Sequence, residues 1–354
     1  AAVLVGLWTT GGLETTLRDQ ITRANAYAAR ATAGQVLLLL RGFGDALRPC
    51  SKHPAIVEHL AGHRSSDGAI DGALETCAPK STFDSILLLD LDGCPLARIP
   101  KPKRGYFERC FAFRDYYQGA KRLATRRVEW QRLAREARGP EPEDLYVARA
   151  HRSEGDNQFK FSLGMPVFDA PLGSGDAKCV GYLMATLGTD STIASYPLSD
   201  PNDPARVGSV VSLRDRERDE ASLPLPREFR VLIHKNLRHG DAVPISIPEL
   251  DRLADGIGAE KPDDRQQFHL RERSDLMSST DHHDPIPGYG GRWLAGFARV
   301  GQTDQVVIVQ TRYDTITVIE EYLWRVLGCA ALLVVFGFAI VATALPTLHR
   351  RGWV

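Results

Sequence analysis

The side chains best placed to do chemistry in this sequence are histidines, aspartates and cysteines. His282-His283-Asp284, with His269 upstream, offers imidazole and carboxylate groups of the kind that bind zinc. Adjacent histidines point in different directions along an extended chain, and no fourth ligand is specified. The stretch Ser278–Gly291 is also full of turn-forming residues, so a solvated loop is expected there, not a metal site. Asp90 and Asp92 lie in Leu87-Leu-Leu-Asp-Leu-Asp-Gly-Cys94. Asp92-Gly93 is a tight-turn dipeptide between two strand patterns, Ser85–Leu91 and Pro95–Ile99, and a β-hairpin accounts for both aspartates. Cys50, Cys77, Cys94, Cys110 and Cys179 match no CxxC-type zinc spacing. In an oxidising compartment Cys50 with Cys77 is the simplest pair, and an odd number leaves at least one thiol free or bonded elsewhere. No glycine-rich loop follows a strand and opens a helix to hold a phosphate, and no Ser or Cys sits in a nucleophile elbow. The residues thus predict no catalytic centre, no metal and no cofactor.

The most telling of the elements that must position any site is the run Val326–Leu348, which contains no charged residue. At 1.5 Å per residue it covers ~34 Å, enough to cross a bilayer. Arg350 and Arg351 follow it, marking the cytoplasmic side, while Tyr322 and Trp324 before it and Trp353 after it suit the two interfaces. The bulk of the chain is therefore expected outside the cytoplasm, in the periplasm, with 349–354 as a cytoplasmic tail. Ala1–Trp8 is apolar but too short to span, and it reads as the outer end of a truncated first membrane helix. Without an initiator Met or a basic n-region it does not resemble a signal peptide.

Lys+Arg and Asp+Glu each number 44 among the 354 residues, and no basic run is interleaved with aromatics, which argues against a nucleic-acid partner. Leu17, Ile21, Ala24, Ala28 and Ala31 recur at helical spacing, predicting a stalk helix over Leu13–Leu47 of ~50 Å, long enough to pack on a second copy of itself. Strands are predicted at Leu145–His151, Gln158–Phe168 and Cys179–Leu187, with a helix over Gly119–Ala137. The stretch Ser199–Pro226, rich in Pro, Asp and Arg, reads as a connection. Beyond it, Phe229–His234 reads as a strand, Pro248–Gly256 as a helix, and Arg292–Val300 with Gln305–Thr311 as a hairpin. The fold class is α+β. The expected divisions are 9–80 for the stalk and helical connection, 81–198 for a first module, 227–320 for a second and 321–348 for the membrane helix.

This layout resembles the double Cache (dCache) sensor architecture, in which two PAS-like modules with antiparallel sheets stand between membrane helices. Phe113-Arg-Asp-Tyr-Tyr-Gln-Gly-Ala120 is similar to the family's RxWYxxA-type segment. Phe161–Asp169 followed by Val180–Thr186 is similar to its PV…GxxG hairpin. Trp293–Val300, Val306–Tyr313 and Asn25-Ala-Tyr-Ala-Ala-Arg30 resemble segments of Cache domains joined to bacterial Ser/Thr protein kinases. The resemblance implies a non-enzymatic small-ligand sensor with its pocket in the membrane-distal module. It would pass a movement to a cytoplasmic output, by the same resemblance a Ser/Thr kinase placed before Ala1. Arg114, Tyr116 and Tyr117 match the ligand-holding motif: a guanidinium pairs a carboxylate bidentately, and an aromatic face attracts a cation. The family's Tyr-x-Asp reads His151-Arg152-Ser153 here, and Thr186 stands at its later aspartate, so a carboxylate or an uncharged ligand fits better than an α-amino acid. The alternative resemblance is Leu87–Cys94 to the DxDGT start of haloacid-dehalogenase phosphatases, which would make Asp90 a nucleophile and Asp92 an acid–base in a membrane-anchored enzyme. Cys94-Pro95 departs from that motif, and only Asp263-Asp264 offers a later acidic pair.

Overall fold

A computed structural model of the chain describes residues 2–62, 67–77, 83–102, 105–134, 144–154, 156–170, 177–188, 205–215, 217, 220, 222, 227–238, 240–258 and 277–350. It is α+β, with a long N-terminal helix and two antiparallel sheets. The first helix, α1 (Ala2–Ser51), runs without a break through Gly11-Gly12 and is longer than the predicted stalk. Two short helices follow, α2 (Pro54–Leu60) and α3 (Asp67–Cys77).

The first sheet contains β1 (Ser85–Leu89), β2 (Pro95–Ile99), β3 (Tyr146–Val147), β4 (His151–Arg152), β5 (Phe159–Phe168) and β6 (Cys179–Gly188), with α4 (Asp115–Ala134) inserted after β2. Its strand order is β2-β1-β6-β5-β3, and β4 also pairs with β5. The continuous strand expected over Leu145–His151 is thus split in two. β1 is buried along its whole length, because both sheet faces are covered. Ile86 and Leu88 join α1 and α3 in one core, while Leu87 and Leu89 join Tyr116, Tyr117 and Ala120 of α4 in another.

The second sheet contains β7 (Arg206–Leu213), β8 (Phe229–His234), β9 (Val243–Ile245), β10 (Met277–His282), β11 (Trp293–Arg299) and β12 (Gln305–Arg312), with α5 (Pro248–Gly258) after β9. Its order is β10-β11-β12-β7-β8-β9. In both sheets the block's first strand pairs with its last, and the closing hairpin lies next to it. β7 corrects the reading of 199–226 as a connection. Arg206-Val-Gly-Ser-Val-Val-Ser-Leu213 is buried on both faces and so shows no apolar–polar alternation, and its Pro/Asp-rich flanks conceal it. β10 likewise takes up the start of Ser278–Gly291, expected to be a loop, because it pairs with β11.

Helix α1 serves both sheets. Ala29, Ala33, Val36, Leu37, Leu40, Phe43 and Leu47 are buried in a core shared with Phe161 and Leu163 of β5 and Val307 and Val309 of β12. The predicted stripe was misplaced, since Ala24 and Ala31 are exposed. The buried face instead includes Asn25, whose polarity hid it. Its amide donates to the Leu294 carbonyl at 2.7 Å, and its Oδ1 accepts from the Thr311 hydroxyl at 3.1 Å.

The last helix, α6 (Asp314–Arg350), leaves β12 directly. Its segment Trp324–Ala342 is long and apolar enough to cross a membrane, and none of it is buried in the protein. Leu333 and Phe338 are 74% and 73% exposed, an apolar surface that water does not favour. Where α6 begins, the Tyr313 hydroxyl donates to the Glu14 carboxylate of α1, so the two long helices are joined there.

Candidate functional site

Arg114 sits immediately before α4, its carbonyl accepting from the Gln118 N–H at 3.1 Å, and its side chain is nearly fully buried. It turns under the helix start, where Nη2 donates to the Arg152 carbonyl at 3.2 Å. Glu154 lies 3.8 Å from Nη2 and Asp215 lies 4.0 Å from Nη1. Tyr116, two residues on, packs edge-to-face on the His151 ring with centroids 5.4 Å apart.

These groups line a cavity between α4, the β2–α4 segment and the face of the first sheet that α4 covers. The lining includes Arg114, Tyr116, His151, Ser153 and Thr186, all read from the sequence. Tyr117 is elsewhere. Its hydroxyl donates to the Leu91 carbonyl at 2.6 Å and its ring packs on Tyr182, because consecutive helical residues diverge by about 100°. Thr186 pairs across the β5–β6 ladder with Ser162, their hydroxyls 3.4 Å apart. The sequence reading missed Arg98 on β2, Tyr106 and Phe111 on the β2–α4 segment, and Glu154, all of which line the cavity. The dense aromatic run Tyr106-Phe-Glu-Arg-Cys-Phe-Ala-Phe113 was the one signal that could have drawn attention to that segment. A Cys94–Cys110 disulfide ties the segment to the β1–β2 turn. Cys179 is a free thiol. Cys50 is also disulfide-bonded, but the side chain of Cys77, its expected partner, lies outside the described residues.

The cavity measures about 30 Å³, room for a water or two and too little for a metabolite. Its lining is polar, with Arg98 and Arg114 beside Glu154. Burial, reinforced by the nearby Arg114 and Lys160 cations, pushes the His151 imidazole down to about 3, so the ring is neutral. Burial likewise raises the Tyr106 and Tyr116 phenols, which remain protonated donors.

Behind the cavity a buried polar network joins the two sheets. The Asp215 carboxylate, just past β7, accepts the N–H of Asp115 at 3.1 Å and so places an anion on the first turn of α4. Asp115 accepts the Tyr146 hydroxyl at 2.9 Å and the Arg149 N–H at 3.0 Å. Arg149 in turn donates to Asp304 in the β11–β12 turn at 2.5 Å. Ala150 completes the junction, its N–H donating to the Ser212 hydroxyl at 3.1 Å and its carbonyl accepting the Asp215 N–H at 2.7 Å.

The other candidate groups have structural partners. Oδ1 of Asp90 accepts the N–H groups of Asp92 at 2.9 Å and Cys94 at 2.8 Å, which closes the hairpin turn. Gly93 adopts φ +82° in that turn, and a Cβ there would meet the Ala112 backbone at 2.9 Å. His282 is buried against Phe297, whereas His283 is exposed and contacts the Gly291 carbonyl at 3.0 Å. His269, Asp263 and Asp264 lie outside the described residues. Among the described residues no three His, Cys, Asp or Glu side chains are grouped to hold a metal ion.

No protein-family profile matches the chain. No curated protein matches it either. Solved structures do. The ligand-binding domain of the Pseudomonas fluorescens chemoreceptor CtaA with L-isoleucine is similar at 14% identity and a TM-score of 0.48, over 86% of this chain and 98% of that one. The ligand-binding domain of the Pseudomonas aeruginosa amino-acid chemoreceptor PctC with GABA is similar at 14% identity and a TM-score of 0.45, over 83% and 99%. The ligand-binding domain of Mlp24 with asparagine is similar at 13% and 0.47, over 86% and 98%. At scores below 0.5 these likenesses decide nothing about ligand or partner, which the chain's own side chains must carry.

Proposed function

We propose that this chain is the extracytoplasmic sensor of a transmembrane receptor of the dCache type, binding a small carboxylate-bearing ligand in the cavity around Arg114. The observation that carries the reading is convergence. Arg114 and Tyr116 from the start of α4, His151 and Ser153 from β4 and its exit, and Thr186 from β6 line one cavity on one sheet face. Of these, Arg114 supplies a bidentate donor for a carboxylate, and Tyr116, His151, Ser153 and Thr186 supply neutral polar contacts.

On this reading the two sheets are the cores of two PAS-like modules, a membrane-distal one over 81–198 and a proximal one that starts at β7. The repeated strand order supports this. Helix α6 is the return span, and the chain before it lies on the outer side of the membrane. Ligand on Arg114 competes with Asp215 for the guanidinium, and the Asp115–Arg149–Asp304 network passes the change to the β11–β12 hairpin and so to α6. The ligand shifts the receptor only by as much as it prefers one arrangement over the other. Tyr27 and Leu38, 61% and 65% exposed on α1 and in line with Ala24 and Ala31, support a homodimer through the stalk. The output is a cytoplasmic Ser/Thr kinase. The aspartates of the phosphatase alternative are accounted for by the turn that Asp90 closes.

A thermal-shift screen of carboxylates, amines, amino acids and purines tests the reading. A ligand at a hundred times its Kd should stabilise the protein by about 2.7 kcal/mol. Arg114→Ala should abolish the shift, and a shift that survives it refutes the site.

A further inference from the structure

Arg98 is a second cation on the same cavity. It lines the cavity from β2, its guanidinium carbon 4.6 Å from the centroid of the Tyr106 ring. Its Nε is buried and has no hydrogen-bond partner, and no carboxylate lies within ion-pair distance of it among the described residues. A buried N–H donor on a half-buried guanidinium is costly to leave unmatched, and a carboxylate would match both its hydrogen and its charge. Tyr106 is the wall shared with the first cation, since its phenol feels the charges of Arg98, Glu154 and Arg114 together.

His151 adds a third requirement. The ring is neutral, and its Nδ1 is buried without a hydrogen-bond partner among the described residues. With the proton on the other nitrogen, Nδ1 is an acceptor that asks for an O–H or N–H.

We propose that the ligand is a short diacid bearing a hydroxyl donor, with one carboxylate on Arg114, the second on Arg98 and the hydroxyl on Nδ1 of His151. This rests on the carboxylate reading of the cavity above and narrows it. The closed cavity has no room for such a molecule, so binding moves Tyr106 and Phe111 outward on the β2–α4 segment, with Cys110 holding the segment to the β1–β2 turn. Charge-assisted bonds to a guanidinium set the scale, which is about tenfold to a hundredfold in affinity for each carboxylate.

Calorimetric titration of the full chain in detergent micelles, at fixed ionic strength, with malate, aspartate, succinate and lactate tests this. Malate should bind at least about tenfold tighter than lactate, which lacks the second carboxylate, succinate, which lacks the donor, and aspartate, which carries an ammonium in place of the hydroxyl. Arg98→Gln should bring malate down to the lactate level and leave lactate unchanged, and Arg98→Lys should restore part of the difference. His151→Phe should erase the preference for malate over succinate. Ligand-free unfolding midpoints show whether each variant is folded, and Arg98→Lys serves as the folded variant if Arg98→Gln is not. If lactate binds but the diacids bind no tighter, or if Arg98→Gln leaves the malate-to-lactate ratio intact, the diacid inference is wrong and the carboxylate site survives. If none of the four acids binds the unmodified chain, the carboxylate reading itself fails and this inference falls with it.

Discussion

Replacing Asp215 by asparagine removes one charge at the point where the cavity meets the second sheet. Asp215 and Arg114 are 1% and 3% exposed and stand 4.0 Å apart. At that distance, with an effective dielectric of about 20, the attraction is about 4 kcal/mol. Two features reduce the loss. The asparagine side-chain carbonyl would still accept the Asp115 N–H, and Glu154, 3.8 Å from Arg114 and 18% exposed, retains part of the compensation. The expected destabilisation is therefore about 2–3 kcal/mol, near the lower end for breaking a buried ion pair. Urea unfolding of the full chain in micelles at pH 7, followed by tryptophan fluorescence, measures it. A double-mutant cycle combining Asp215→Asn with Arg114→Met should give a coupling of at least about 1 kcal/mol, because the two groups face each other. A loss below about 0.5 kcal/mol, or additivity in the cycle, would refute the view that Asp215 holds Arg114.

Three other perturbations probe different parts of the molecule. A Cβ on Gly296 would lie 2.2 Å from the backbone nitrogen of Ala26, so Gly296→Ala must push α1 off β11, and a loss of about 3 kcal/mol in the same unfolding assay is expected. His151 and His282 are held down to about 3 and about 4 by burial, so below about pH 6 the unfolded chain binds more protons than the folded one. Stability should fall with acidification from pH 6 to 4.5 by about 1.4 kcal/mol per pH unit for each histidine, offset in part by Asp115, whose carboxyl burial raises. The slope measured for His151→Gln should be shallower by one proton. Removing the Cys94–Cys110 bridge, which closes a loop of sequence separation 16, by changing both residues to Ser should cost about 3 kcal/mol and widen proteolytic access to the β2–α4 segment. Unchanged cleavage would show that the bridge does not restrain it.

Elements with a strong local signature were legible in the sequence. The apolar run of α6 needs only its own composition to be recognised, and the apolar, turn-bounded patterns of β1–β2, β5–β6 and β11–β12 are set by neighbours close in the chain. Arg114 and Tyr116 were legible through a contiguous motif. β7 was not, because it carries no alternation and its Pro/Asp-rich flanks, unlike the hairpin turns beside the other strands, read as a connection. The buried face of α1 was not either, because Asn25 counts as polar until Leu294 and Thr311 satisfy it.

The periodic elements, the uncharged run long enough for a membrane and the arginine–tyrosine segment are written into local sequence, because each depends on residues within a few positions of one another. Tertiary structure alone decided which of two adjacent tyrosines faces the cavity, which cysteine pairs with Cys94, and that Arg98 and Glu154 meet Arg114 there. It also decided that Asp215 and Asp304 of one sheet hold Arg114 and Arg149 of the other. Those outcomes depend on side chains brought together from distant positions, and on the charge balance that burial then imposes, neither of which local spacing encodes.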